Sequence, residues 1–122
     1  MRRITMMMVG IAMVVAGSAL AFAHNESGSM QTIKGEVVDL ACYLDHGAMG
    51  AKHQECAQKC ITSGLPVGIK SGDTIYLAVS EEHGPANAAL ASLAGQQVTA
   101  EGKVTERDGV HLIAVKKVTA NS

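Results

Sequence analysis

The sequence predicts a mainly β fold, in which five strands form a small barrel and one helix covers an end of it. Five short segments are rich in β-branched or alternating apolar residues, which is typical of strands. Two turn signals, Ser71-Gly72-Asp73 and Arg107-Asp108-Gly109, join four of these segments into two hairpins. An Ala- and Leu-rich stretch lies between the hairpins, and a stretch that carries cysteines and histidines follows the first strand.

The first strand and the segment after it are predicted from a change in composition. Thr32 to Leu40 is mostly apolar or β-branched, and Gly35 is expected to bend it. The composition changes after Ala41, and Gly47 and Gly50 are expected to loosen the chain. Ala51 to Thr62 then has the composition of a short helix, and Gly64 ends it. The stretch 41–64 is therefore predicted to be a helical insertion between strands 1 and 2.

The second helix lies between the two predicted hairpins. Pro85 to Leu93 begins with the residue favoured in a first helical turn, and Gly95 follows at the position favoured for a helix end. The strands on either side of this helix are predicted over Leu65 to Ile69, Thr74 to Val79, Val98 to Glu106 and Val110 to Val118.

Apart from the insertion, the predicted order is β-β-β-α-β-β. This is the order of an OB-fold, a partly open Greek-key barrel of five strands. We therefore predict a single OB-like domain over residues 32–122. Its helix lies between strands 3 and 4, and its insertion over residues 41–64 carries the cysteines.

The N-terminal residues have the features of a bacterial export signal. Arg2 and Arg3 precede an apolar run, and the small-x-small pattern Ala21-Phe22-Ala23 follows it. We predict a signal peptide over residues 1–23 that is cleaved after Ala23, and a flexible lead-in over residues 24–31. The mature protein is then expected in the periplasm or outside the cell.

The mature composition excludes several classes of partner. Without residues 1–23 the chain has eight Lys and Arg against eleven Asp and Glu, a formal charge of −3, and Tyr43 and Tyr76 are its only aromatic residues. Nucleic-acid binding needs basic and stacking surfaces, and binding to a membrane surface needs a basic segment. The sequence predicts neither. No carboxylate pair, nucleophile motif or phosphate-binding glycine run points to an enzyme.

The three cysteines of the chain and one histidine form its most reactive cluster. His53, Cys56 and Cys60 fall within a 60° arc if their segment is helical, at roughly 3.6 residues per turn. Cys42 is expected to approach them from the preceding segment as a fourth ligand. Three thiolates and an imidazole are a standard zinc set, and the same soft donors suit Cu(I). The sequence therefore predicts a Zn or Cu(I) site, either structural or for exchange with a partner in the cell envelope.

Two other interpretations of the cysteines stay open at this stage. Export into an oxidising compartment favours a structural disulfide from Cys42 to Cys56 or Cys60. The protein would then be a ligand- or partner-binding module without metal. A thiol-redox role is the third interpretation, although a C-x-x-C motif is missing, and it predicts a low pKa at Cys56 or Cys60.

Two further histidines are candidate ligands of lower rank. His46 lies four residues after Cys42 and is an alternative to His53. His24 would become the N-terminal residue after cleavage, and its imidazole and free amine would then form a copper chelate. His83 is expected in an exposed turn, and His111 is interpreted as structural.

Parts of the sequence resemble known groups of proteins. The runs GEVVDLACYL, HQECAQKC, GLPVGI and LAGQQVTAEGKV resemble small exported bacterial proteins with an OB-like strand order. That resemblance implies a fold rather than an activity. Cys56-x-x-x-Cys60 is similar to the cysteine pair of Sco-type copper chaperones and of the binuclear copper site of cytochrome oxidase. In those proteins the histidine follows the pair, whereas His53 precedes it, so the resemblance implies only Cys56 and Cys60 as copper ligands.

Overall fold

The protein forms a closed five-stranded barrel over residues 28–122, the part of the chain that the computed structural model describes. Around the barrel the strands follow the order β1-β2-β3-β5-β4, and β4 pairs again with β1. All pairs are antiparallel except β3 with β5. The predicted OB-like barrel is confirmed. Its strands are β1 (Ser29–Asp39), β2 (Val67–Ser71), β3 (Thr74–Ser80), β4 (Gln97–Arg107) and β5 (Val110–Ala120).

Strand β1 closes the barrel because it pairs with two neighbours in succession. From Ser29 to Glu36 it pairs with β4, and from Glu36 to Asp39 it pairs with β2. Gly35 lies at this change of partner, where a Cβ atom would collide with the carbonyl group of Lys70. The absence of a side chain lets the two strands approach closely at this position.

The observed strand ends differ slightly from the predicted ones. β1 begins at Ser29, so residues 29–31 of the predicted lead-in pair with β4. Both predicted hairpin turns are present, with the left-handed backbone that tight turns require at Gly72, Asp108 and Gly109. The predicted signal peptide and residues 24–27 lie outside the described residues.

The core fills the barrel with small and β-branched side chains. Every second residue of β4 from Val98 to Val104 is buried, as expected for a strand with one face inward. Helix α3 packs its fully buried Leu90 against the same core. The other buried core residues include Ile33, Val37, Val67, Ile69, Ala78, Ala100 and Ile113.

Three helical segments differ from the prediction. A helix that the sequence did not indicate, α1 (Leu40–His46), continues directly from β1. The predicted helix from Ala51 is a 3-10 turn (Ala51–His53) followed by α2 (Gln54–Thr62). The other predicted helix is limited to α3 (Asn87–Leu90) and a 3-10 turn (Ala91–Leu93).

Both helices of the insertion lie between β1 and β2, as predicted for the cysteine-bearing segment. Helix α2 packs on the barrel core through Ala57 and Ile61, which are one turn apart. Within residues 28–122, no helix has the length and apolar character needed to cross a lipid bilayer.

Candidate metal centre

The buried side chain of Asp39 determines where Cys42 lies. Asp39 is the last residue of β1 and the N-cap of α1, and only 1% of its surface is exposed. Its carboxylate accepts hydrogen bonds from the backbone N–H groups of Ala41 (3.2 Å) and Cys42 (3.1 Å). These bonds satisfy donors that the first turn of a helix leaves free. Cys42 is therefore held in the first turn of α1, directly at the end of the barrel strand.

Cys56 and Cys60 lie on α2, one helical turn apart. Each immediately precedes a buried residue, Ala57 or Ile61, so the two thiols lie at the edge of the face that packs on the barrel. The Asn87 side chain holds the end of α2 from the next helix. Its Nδ2 donates to the carbonyl groups of Ile61 and Leu65, at 2.7 Å each.

The three cysteine sulfurs converge between α1 and α2. All three are free thiols, and their Sγ atoms lie within 4.8 Å of one another. A point among them is then no more than about 2.8 Å from any sulfur (4.8 Å divided by √3), while a Zn–S bond is about 2.3 Å. Movements of about 0.5 Å would bring all three to bonding distance. The three cysteines can therefore hold a metal ion.

One side of this cluster is open to solvent. Cys56 is exposed, whereas Cys42 and Cys60 are half-buried. An ion at the centre would thus be covered by protein on the Cys42 and Cys60 side and reachable on the Cys56 side. Open coordination positions are typical of metal sites that exchange ligands, whereas structural zinc sites are closed by four protein ligands.

Two of the thiols have raised pKa values. The hydrogen bond from Cys42 to the Asp39 carboxylate is the main cause that raises the pKa of Cys42 to about 12, and partial burial and the nearby negative charges add to it. Partial burial is the main cause that raises the pKa of Cys60, followed by the charge of Asp39. Both are therefore neutral thiols at pH 7. A redox-active cysteine has a lowered pKa, so the raised pKa of Cys60 argues against a thiol-redox role for this residue.

A second buried carboxylate, that of Glu36, holds the loop between the two helices. Glu36 is 5% exposed, and its Oε1 accepts a hydrogen bond from the backbone N–H of Gly50. Gly47 ends α1, and both glycines have a left-handed φ, 70° for Gly47 and 78° for Gly50. The chain therefore turns back on itself here, which brings the start of α2 beside the end of α1.

His53 and His46 meet at this turn, beside the sulfur group. The ring of His53 lies 6.4 Å from that of His46, measured between centroids. The group of donor atoms that lie within 4.8 Å of one another contains the three cysteines and does not include His53. His53 is the N-cap of α2 and has a non-helical backbone, so it does not continue the helical stripe of Cys56 and Cys60. Its role as fourth ligand stays a prediction.

The remaining histidines lie away from this turn or beyond the described range. His83 is exposed in the turn after β3, and the ring of His111 in β5 lies 5.5 Å from that of Tyr76. His24 precedes the described residues, so its copper-chelating role also stays a prediction.

Sequence reasoning did not find the role of Asp39, although the sequence contained a signal for it. Asp39 is a favoured N-cap residue at the end of a predicted strand, and Gly47 follows eight residues later at a favoured helix end. Read together, these two residues delimit α1 and place Cys42 in its first turn. The contact between the Asp39 carboxylate and the Cys42 thiol depends on side-chain geometry that spacing alone does not reveal.

Comparisons with protein families, with curated proteins and with solved structures gave no match to this chain. The resemblance to small exported bacterial proteins therefore stays a prediction.

Proposed function

We propose that this protein is exported and binds one zinc or Cu(I) ion through Cys42, Cys56 and Cys60. The observation that carries the proposal is the convergence of three sulfur atoms within 4.8 Å of one another. They come from two helices that are separated by a turn, so this convergence is not a consequence of neighbouring positions in the sequence. Thiolates are the ligands that zinc and Cu(I) accept most readily.

The electrostatics of the site also support a bound cation. If the three thiols ionised without a metal, their like charges would repel one another and the Asp39 carboxylate. The hydrogen bond to Asp39 is the main cause of the raised pKa of Cys42, and partial burial is the main cause of the raised pKa of Cys60; the nearby negative charges add to both. A positive ion at the centre removes this conflict, because it replaces the thiol protons and attracts all of the negative groups.

The number of protein ligands distinguishes a structural site from a metal-exchange site. If His53 completes the set, four protein ligands close the site, which is typical of structural zinc. If only the cysteines bind, the open side at Cys56 lets a partner's ligand approach the ion. The exposure of Cys56 favours this second arrangement, in which the protein transfers its ion to another protein of the cell envelope.

Export gives such a site a further purpose. The predicted periplasmic or extracellular location is oxidising, and free thiols this close together would form disulfides there. A bound ion keeps the sulfurs reduced, because each is engaged as a metal ligand. The barrel then acts as a rigid frame, and the two carboxylates on β1, Glu36 and Asp39, fix the insertion onto it.

The proposal can be tested with Co(II), which replaces zinc and gives sulfur-to-metal absorption bands in proportion to the thiolates bound. We expect the wild-type protein to bind one Co(II) with three thiolates, and Cys56→Ser to lose stoichiometric binding. Gln58→Ser, an exposed change on the same helix, is the matched control and should bind like the wild type.

A negative result has a clear form. Absence of thiolate bands in the fully reduced wild-type protein would contradict the proposal. A mature mass lower by two hydrogens, without metal, would support a structural disulfide. The function would then have to be sought in ligand or partner binding by the barrel.

A further inference from the structure

The turn between α1 and α2 brings two imidazole rings together next to the cysteine cluster. Cys42 and His46 lie one turn apart on α1. Across the turn, the sulfur of Cys42 lies near those of Cys56 and Cys60, and the ring of His46 lies near that of His53. The donor groups thus form one row between the two segments, with thiols at one end and imidazoles at the other.

We infer that His46 and His53 form a second metal site, for a borderline divalent ion of the Ni²⁺, Cu²⁺ and Zn²⁺ group. Imidazole nitrogens are preferred ligands of these ions. The site is distinct from the three-cysteine centre and does not depend on it. It takes His53 as a partner of His46 rather than as the fourth ligand of the cysteine cluster.

The ring separation suits a shared ion after a small movement. Two imidazoles on one ion, with metal–nitrogen bonds of about 2.0 Å, have their centroids roughly 5 Å apart in a tetrahedral arrangement. The observed centroid separation is 6.4 Å. The difference is within reach of a side-chain rotation, because the His46 side chain is 55% exposed.

Asp45 prepares His46 for this role. The Asp45 Oδ2 atom lies 3.2 Å from Nδ1 of His46. A carboxylate can only accept, so the ring proton is on Nδ1 and the unprotonated Nε2 is left as the ligand atom. Metal-bound histidines commonly show this pairing with a carboxylate, which orients the ring and makes the ligand nitrogen more basic.

The position of His53 is also determined by the fold. His53 lies at the junction of the 3-10 turn and α2. It lines a narrow crevice together with Met49 and Gly50, and Glu36 holds the backbone of Gly50 from β1. The His53 ring thus lies on the barrel side of the turn, and the exposed ring of His46 can close over the ion from the solvent side.

The test is a calorimetric titration of Ni²⁺ into the mature protein, which already holds one equivalent of Zn²⁺ to protect the thiols. All variants carry His24→Asn, so that the N-terminal chelate does not contribute. We expect one Ni²⁺ site, and about a tenfold or greater loss of affinity in both His46→Asn and His53→Asn. His83→Asn is the matched control and should bind like the parent, because His83 is exposed and Asn tolerates its positive φ of 61°.

A second pair of variants tests the orienting role of Asp45. We expect Asp45→Asn to weaken Ni²⁺ binding by about tenfold. Glu55→Gln removes an equal charge from an exposed position near His53 and should change the affinity much less. Equal losses in the two variants would show a general charge effect and would contradict the orienting role.

Two results would overturn the second site. One is unchanged Ni²⁺ affinity in either His46→Asn or His53→Asn. The other is a change in the Co(II) spectrum of the cysteine site with His53→Asn but not with His46→Asn, because His53 would then be a ligand of that site. Failure of the cysteine site appears separately, as thiols that alkylate equally fast with and without Zn²⁺.

Discussion

The barrel and its insertion differ in the side chains that they bury. The barrel buries a continuous set of apolar side chains, among which Val37, Ile69, Val98 and Ile113 have no exposed surface. The insertion between β1 and β2 buries few side chains and carries the chemically reactive ones at or near its surface. It has no core of its own and is held in place by buried carboxylates, by helix caps and by the packing of Ala57 and Ile61 on the barrel core.

This difference shows how a small domain separates stability from chemistry. Apolar burial is the main source of folding free energy, so the barrel supplies most of the stability. The insertion contributes less apolar burial, and its three cysteines are not part of the barrel core. They can therefore serve as metal ligands without a role in core packing. Changes in the two regions should therefore have different effects, and the following predictions test that separation.

The largest effect on stability is expected from the barrel core. Ile113→Ala removes a fully buried side chain and should lower the free energy of unfolding by about 2–5 kcal/mol. Urea denaturation of the apo protein measures this change. The metal stoichiometry should stay the same under conditions in which the variant is folded. A folded variant with altered stoichiometry would contradict the independence of the two regions.

The metal site should be strongly dependent on pH. The pKa of Cys42 is raised to about 12 and that of Cys60 is also raised, so both thiols must lose a proton when a metal binds near pH 7. The release of at least two protons makes the affinity fall at least about 100-fold for each unit by which the pH is lowered. Calorimetry of Zn²⁺ binding in buffers of different ionisation enthalpy counts the protons. Release of fewer than two would contradict this description of the site.

A moderate effect is expected where the two regions meet, at Asp39. Asp39→Ala removes the N-cap of α1 and should lower the free energy of unfolding by about 1 kcal/mol. Asp39→Asn keeps a capping oxygen but removes the negative charge, so the pKa of Cys42 should fall towards its ordinary value. Alkylation of Cys42 near pH 8 should then be faster than in the wild type.

The exposed acid Asp45, in the same helix, provides the control for this charge effect. Asp45→Asn should leave the alkylation rate of Cys42 unchanged. If Asp39→Asn also left it unchanged, the hydrogen bond between the Asp39 carboxylate and the Cys42 thiol would not be the main cause of the raised pKa.

The smallest effect on stability is expected when a metal ligand is replaced in the metal-free protein. Cys56 is exposed, so Cys56→Ser should change the free energy of unfolding of the apo protein by less than about 0.5 kcal/mol. With zinc at 100 times its dissociation constant, the wild type should gain about 2.7 kcal/mol and the variant should gain almost nothing. Thermal unfolding with and without Zn²⁺ measures both. An equal zinc effect in the two proteins would exclude Cys56 as a ligand.

The contrast between the two regions also explains what the sequence could predict. Alternating apolar residues and glycine-containing turns are local signals, and they were sufficient for the five strands and both hairpins. The closing of the barrel by β1, which exchanges partners near Gly35, follows from the strand order of the OB type. Strand ends such as Ser29 were less predictable, because pairing extends a strand beyond its apolar residues.

The candidate site was predictable only in part, for a physical reason. The spacing of Cys56 and Cys60 requires one helical face, and the prediction that Cys42 approaches them agrees with the structure. The placement of His53 depends on a 3-10 turn that interrupts the helical period just before α2. The residue just before that turn, Gly50, donates a tertiary hydrogen bond to Glu36, a contact that no local pattern encodes.

The most direct test of the central claim is to measure metal content and free thiols together. The protein should be purified in its mature form without a chelator. We expect about one Zn or Cu per chain, with three thiols that react only after the ion is removed or the protein is denatured. A metal-free protein with a single free thiol would contradict it and would identify the cysteines as a structural disulfide with one spare thiol.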